Sequence, residues 1–163
     1  MRFDFEYKFH SAGQGLFSSG AVRERGAQFP FQWVFDCGST AAKSLLKPVV
    51  EDFKEQIENR IDLLCISHFD YDHVSGLSYL LPGIDVGTLV LPNVSRIERM
   101  VLGARARVRY SDRPGRDYLE FLKDPAGFVL GRAESVERVI LVGSDPPGDG
   151  GAEFDSPPDS PPL

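Results

Sequence analysis

Aromatic and polar residues alternate along the first ten positions, where Phe3, Phe5, Tyr7 and Phe9 are separated by polar side chains. A period of two is typical of a strand with one buried face. We therefore expect a first strand whose aromatic side chains pack inward.

Two further strands are expected before residue 37. Leu16-Phe17-Ser18 predicts a short return strand after the turn Gly13-Gln14-Gly15, and residues 20–28 read as a polar loop. Residues 29–36 predict a third strand, with Trp33 in the core. The simplest arrangement of these three strands is a meander.

The periodicity changes to a helical one at residue 41. Apolar residues recur every three or four positions up to residue 59, with Pro48 expected to kink or restart the helix. Strands and helices then alternate, which predicts the α/β class. The expected strands are 62–66, 86–91 and 136–142, and the expected helices are 77–81, 94–104 and 116–123.

Composition divides the 163 residues into one domain and a tail. Residues 145–163 hold six of the 12 prolines and five of the 24 acidic residues, and no basic residue. Such a segment cannot bury enough apolar surface to offset the entropy of ordering. We expect a domain over 1–144, almost neutral in charge, and a disordered acidic tail over 145–163.

Neither the N-terminal residues nor the cysteine content indicates export, and membrane insertion is not expected. No apolar run approaches the roughly 20 residues of a membrane-spanning helix, and residues 1–6 lack the apolar stretch of a secretory signal. Two cysteines, Cys37 and Cys65, are too few for a disulfide scaffold. A cytoplasmic protein without a membrane partner is expected.

Four candidate metal ligands lie within six residues directly after the expected strand 62–66. They are His68, Asp70, Asp72 and His73, and they include two of the three histidines of the chain. Imidazole nitrogen and carboxylate oxygen are ligands of zinc and similar divalent ions. A calcium loop of the EF-hand type does not fit, because Ser75 and Leu81 occupy the positions of its glycine and terminal glutamate.

The segment Ser67-His68-Phe69-Asp70-Tyr71-Asp72-His73 resembles the signature His-x-His-x-Asp-His of the metallo-β-lactamase-fold hydrolases, with Asp70 in place of the second histidine. The His-x-Asp-x-Asp-His form is most similar to the subset typified by the nuclease-like domain of DNA-uptake channel proteins. The Gly13-Gln14-Gly15 turn and the Asp36-Cys37-Gly38 strand end also resemble family features.

The resemblance implies an αββα sandwich and a site with one or two zinc ions, with manganese as the alternative. His68 and Asp70 would bind the first ion, and Asp72 and His73 the second. A metal-bound hydroxide would attack the substrate, and Asp72 would also orient it as a catalytic residue. Asp36 would hold the motif loop or a ligand histidine without touching metal.

One departure from the family concerns the later ligands, which members usually draw from their second half. No histidine follows His73. Asp145 lies where a bridging aspartate after a strand could fall, but an aspartate of the disordered tail is the favoured interpretation. Three interpretations stay open: the first αβ half of a sandwich completed by a complementary C-terminal half or second chain, a compact variant, or a degenerate member. The first is favoured here.

Seven arginines lie between residues 96 and 116, against only Glu98 and Asp112. A solvated helix face would explain them, but guanidinium groups also bind phosphate. We therefore expect a metal-dependent hydrolase of a phosphodiester, such as a nucleic acid or a cyclic nucleotide. The alternative is a non-catalytic or incomplete module of the same fold that acts in protein interaction or anion binding.

Overall fold

The computed structural model describes residues 2–109 and 115–143. The tail expected over 145–163, with Asp145, lies outside the described residues. Six strands and six helices make up the described part of the chain, in the order β1 Phe3–Phe9, β2 Phe17–Glu24, β3 Phe31–Cys37, α1 Lys43–Gln56, β4 Arg60–Cys65, α2 Tyr71–Val74, α3 Leu77–Leu80, β5 Asp85–Pro92, α4 Arg96–Arg109, α5 Arg116–Lys123, α6 Pro125–Leu130 and β6 Ser135–Val142.

The strands form one mixed sheet in which spatial order equals chain order, β1 to β6. The first three strands are antiparallel neighbours, and β3 to β6 are parallel. Each parallel crossover carries a helix, and crossovers of this kind are almost always right-handed. Because the order never reverses, all the crossover helices are placed on the same face of the sheet. The α/β class expected from the sequence is confirmed.

The core lies between that face and the helices. Val34, Leu64 and Leu89 are register partners on β3, β4 and β5, and all three are fully buried. Helix α1 covers them with Leu46, Val50 and Phe53, and α5 and α6 add Phe121 and Phe128. The amphipathic helices α1 and α5 thus form a second layer that packs its apolar faces against the sheet.

The opposite face of the sheet is bare in the described part of the chain, and we call it the open face. The expectation that the aromatic residues of β1 pack inward is wrong: Phe5 and Phe9 are 67% and 74% exposed. Trp33, expected in the core, is only half-buried there and lies over Gly20. Alternation identified one apolar face but could not show that no helix covers it. The open face comprises Phe3, Phe5, Tyr7, Phe9, Phe31, Trp33, Ile140 and Val142.

Several boundaries also differ from the sequence expectation. Strand β2 continues to Glu24, so the first part of the expected polar loop is strand. Helix α1 runs through Pro48 as one element, and α4 extends to Arg109. Helix α6, begun by Asp124 and Pro125, was not predicted. Among the described residues, no helix has the length and apolar character needed to span a membrane.

Candidate metal centre

The motif segment lies where two parallel strands end side by side. Phe35 on β3 is the register partner of Cys65 on β4, so Asp36 comes to lie beside the residues that follow β4. Asp36 has a φ of 55°, a left-handed conformation that aspartate tolerates better than most residues. The side chain of Asp36 is fully buried there.

Asp36 is the hub of a hydrogen-bond network that holds the motif. Its Oδ1 accepts the backbone N–H of Ser67 at 2.7 Å. Its Oδ2 accepts the Ser67 hydroxyl and is also 2.8 Å from Nδ1 of His73. A buried carboxylate needs such donors, because an unpaired buried charge is very costly.

This network sets the tautomer of both motif histidines. Asp36 can only accept, so Nδ1 of His73 must carry the proton that it shares with Oδ2. The Ser67 hydroxyl donates to Asp36, so Oγ of Ser67 accepts from Nδ1 of His68 at 2.8 Å. The lone pair of each neutral ring is therefore on Nε2, the arrangement in which a carboxylate prepares histidine for a metal.

The two imidazole rings lie close together at one end of the sheet. Their centroids are 3.7 Å apart, and ligand atoms of Asp36, His68 and His73 lie within 4.8 Å of one another. Among the described residues, these three form a group able to hold a metal ion. Because both Asp36 oxygens already accept hydrogen bonds, the imidazole nitrogens are the atoms of this group available to a divalent ion of the zinc type.

The other two motif carboxylates lie beside the histidines without joining that group of three. Oδ2 of Asp70 is 3.4 Å from Nε2 of His68, and Oδ2 of Asp72 is 3.9 Å from Nε2 of His73. All four motif residues line one cleft of about 240 Å³. The sequence expectation of one cluster of four side chains thus corresponds to one cleft in the structure.

Glycines let the motif approach the rest of the sheet. A Cβ on Gly38 would lie 2.5 to 2.6 Å from backbone atoms of Asp72 and His73. Gly15, with a φ of 147°, would meet the Asp72 carbonyl oxygen at 2.6 Å, and the Leu16 N–H donates to that oxygen at 3.1 Å. Both turns singled out in the sequence therefore support the motif by close backbone contact.

Two features of the centre were not identified as site residues from the sequence. Ser67 was read as part of the motif, but its hydroxyl links His68 to Asp36. Arg105 and Arg109 of α4 line the cleft, whereas the sequence showed only an arginine-rich run. The one feature of the sequence that could have indicated Ser67 is its position directly before His68.

The cysteines near the centre are not activated thiols. Burial, and then the Asp36 carboxylate, raises the pKa of Cys37 well above its usual range. The same two causes raise the pKa of the half-buried Cys65. Since the thiolate is the reactive and metal-binding form, both residues serve packing at neutral pH.

Comparison with known families agrees with the motif. The family model of the metallo-beta-lactamase superfamily matches residues 33–159, which begin within β3 and include β4 and the motif segment of the candidate centre. No curated protein matches the chain. With most of its length matched by the family model, the chain belongs to the metallo-beta-lactamase superfamily.

Proposed function

We propose that this member of the metallo-beta-lactamase superfamily is a metal-dependent hydrolase of a phosphodiester, either a nucleic acid or a cyclic nucleotide. The observation that carries the proposal is the Asp36 network, which keeps the protons on Nδ1 of His68 and His73. The Nε2 lone pairs are therefore available to bind a metal ion. A purely structural cluster has no need for two histidines held in the same tautomer beside an open cleft.

The motif residues divide the work of binding between them. Nε2 of His68 and His73 would hold the ion, with Asp70 and Asp72 supplying carboxylate oxygens from the same cleft. One or two zinc ions suit this donor set, and manganese is the alternative because carboxylates are also its ligands. When bound, such an ion polarises the substrate and lowers the pKa of water.

Asp36 and Asp72 have different roles in this proposal. Asp36 is fully buried, and both its oxygens already accept hydrogen bonds, so it acts as a positioning residue for both histidines. Asp72 faces the cleft and has a partly exposed side chain. Its carboxylate can accept a hydrogen bond from the attacking water and orient that water toward phosphorus.

Turnover of a simple diester tests the proposal. Metal-free protein is loaded with zinc or manganese and given bis(p-nitrophenyl) phosphate, alongside the variants Asp72→Asn and Asp52→Asn. Asp52 is exposed on α1 and does not line the cleft, so its variant is the control. We expect turnover that falls at least 100-fold in Asp72→Asn alone. No turnover with either metal, or equal turnover in both variants, contradicts the proposal.

A second candidate function is favoured by the open face. Contiguous exposed apolar patches mark interaction surfaces, and the rings of Phe5, Tyr7 and Phe31 all gather around Trp33, with centroids 5.6 to 6.5 Å away. We propose that a second β-layer, from a complementary C-terminal half or a second chain, covers this face. In a non-catalytic module, this contact would itself be the function.

Sedimentation of the purified chain tests the open face separately from catalysis. If the face needs a second layer, the isolated chain should self-associate at micromolar concentration, and the double variant Phe5→Glu, Phe9→Glu should sediment as a monomer. The control, Leu45→Glu, changes an apolar side chain on α1 that is 59% exposed. A wild-type chain that stays monomeric at high concentration would contradict the partner proposal.

A further inference from the structure

Helix α4 presents two arginines to the same cleft as the metal-binding motif. Arg105 and Arg109 are four residues apart, so they lie on the same side of the helix. Ala106 is buried, and Leu102 packs against the core, which fixes the face of α4 that is turned inward. The cleft is lined by these four α4 residues and by His68, Asp70, Tyr71, Asp72, His73 and Tyr118.

Neither guanidinium group has a carboxylate partner within 4 Å in the described ranges 2–109 and 115–143, and among the described arginines without such a partner these two line the cleft. Arg60, Arg116 and Arg132 all form ion pairs at 2.7 to 3.1 Å. Arg60 and Arg132 thereby connect separate elements of the fold, and Arg116 pairs with Glu120 within α5. The donors of Arg105 and Arg109 remain available to a ligand that enters the cleft.

We propose that Arg105 and Arg109 bind the non-bridging oxygens of a substrate phosphate group in this cleft. This inference rests on the proposed function and names the residues that would select its substrate class. Guanidinium is always charged, and its planar fork matches two phosphate oxygens. A divalent ion held by the motif would reduce the negative charge of Asp70 and Asp72, which otherwise opposes an anion.

The size of the cleft indicates how much of the substrate it takes. Small-molecule sites enclose about 300–1,000 Å³, and this cleft has about 240 Å³. It therefore suits a phosphate with part of one attached group, and the rest of the substrate would lie outside. The same chemistry serves a nucleotide diester or a nucleic-acid strand, so the test must separate these two sources.

Phosphate binding by the metal-free and the zinc-loaded protein tests the arginines without any catalysis. Inorganic phosphate is titrated at constant ionic strength and followed by ³¹P line width, with wild type, Arg105→Ala together with Arg109→Ala, and Arg107→Ala. Arg107 is an exposed neighbour on α4 outside the cleft, so its variant is the matched control. Circular dichroism establishes that all three proteins are folded.

We expect the double variant to lose at least ten-fold in phosphate affinity and the control to match wild type. Equal affinity in wild type and the double variant overturns the inference, as does absence of binding to wild type in both the metal-free and zinc-loaded forms. Zinc affinity is measured in parallel and should be the same in all three proteins. Zinc binding without arginine-dependent phosphate binding defeats only this inference, and the reverse result defeats only the proposed metal function.

A second arm identifies the source of the phosphate. Zinc-loaded protein is titrated with a cyclic dinucleotide and with a single-stranded oligonucleotide, each in wild type and the double variant. A loss on substitution that is confined to the cyclic dinucleotide assigns the small diester. A loss confined to the oligonucleotide, with strong salt dependence, assigns a nucleic acid. If neither ligand responds to the substitution, the cleft does not select phosphate and the inference is wrong.

Discussion

Replacement of Asp36 by asparagine should reverse the tautomer of His73 while keeping the shape of the side chain. In asparagine, Oδ1 can still accept the Ser67 N–H, but an NH₂ group replaces the oxygen that now faces Nδ1 of His73 and the Ser67 hydroxyl. Two donors would then face each other. The imidazole escapes this conflict by moving its proton to Nε2, which removes the lone pair needed by a metal ion.

The size of the effect follows from the three hydrogen bonds to this fully buried carboxylate. A hydrogen bond to a charged group contributes about 1.5–3 kcal/mol, and a neutral one about 0.5–1.5. All three bonds become neutral, which lowers the free energy of unfolding by about 3 kcal/mol at most, since the amide is also cheaper to bury. Loss of such a supporting carboxylate lowers metal affinity about 10- to 100-fold, which equals about 1.4–2.7 kcal/mol.

Two assays check this prediction on Asp36→Asn and on the control Asp62→Asn. Asp62 is a half-buried carboxylate that accepts from the Gln32 N–H and from Arg60, away from the cleft. Long-range ¹H–¹⁵N NMR of the metal-free protein reads the protonated ring nitrogen, and competition with a chromophoric chelator reads zinc affinity. An unchanged His73 tautomer in Asp36→Asn, or a zinc affinity equal to that of the control, would refute the reasoning.

Three further predictions concern the motif and its surroundings. Gly38→Ala would push the backbone of Asp72 and His73 away by overpacking. It should lower the free energy of unfolding, measured in urea, by about 1–3 kcal/mol and remove most of the zinc affinity. A variant with wild-type stability and zinc affinity contradicts the close contact between Gly38 and the motif. Burial, and then the charge of Lys8, lowers the pKa of His10 below 6.5. The unfolded chain therefore binds that proton first, and stability falls as the pH drops below about 6.5; an NMR titration midpoint of His10 at or above 6.5 is the opposing result. Tyr118→Phe removes the hydroxyl that donates to the Phe69 carbonyl at 2.9 Å. The free energy of unfolding in urea should fall by about 1–2 kcal/mol. An unchanged urea midpoint shows that this hydrogen bond contributes nothing to stability.

Local patterns in the sequence predicted most elements and the position of the cluster. Period-two and helical spacings predicted five of the strands and the long helices close to their observed positions. The motif directly after β4 predicted that two histidines and two aspartates lie at one strand end. These features depend on residues adjacent in sequence. Parallel pairing of β3 with β4 then brings Asp36 beside Ser67, an outcome that needs strand order as well.

Features that depend on crossover handedness and on helix packing could not be predicted from local sequence patterns. Whether Phe5 and Phe9 are covered depends on the hand of every crossover, and the alternation of β1 is the same in either case. Which of the arginines on α4 reach the cleft depends on how Leu102 and Ala106 pack. The sequence showed only their number.

Metal content is the most direct test of the central claim, that His68 and His73 hold a divalent ion. The chain is purified without chelator, equilibrated with zinc and manganese, freed of unbound ions and submitted to elemental analysis beside the double variant His68→Ala, His73→Ala. The account predicts near-stoichiometric zinc or manganese in the wild-type chain and its loss in the variant. A wild-type chain without bound metal, or a variant that retains the same amount, would contradict it.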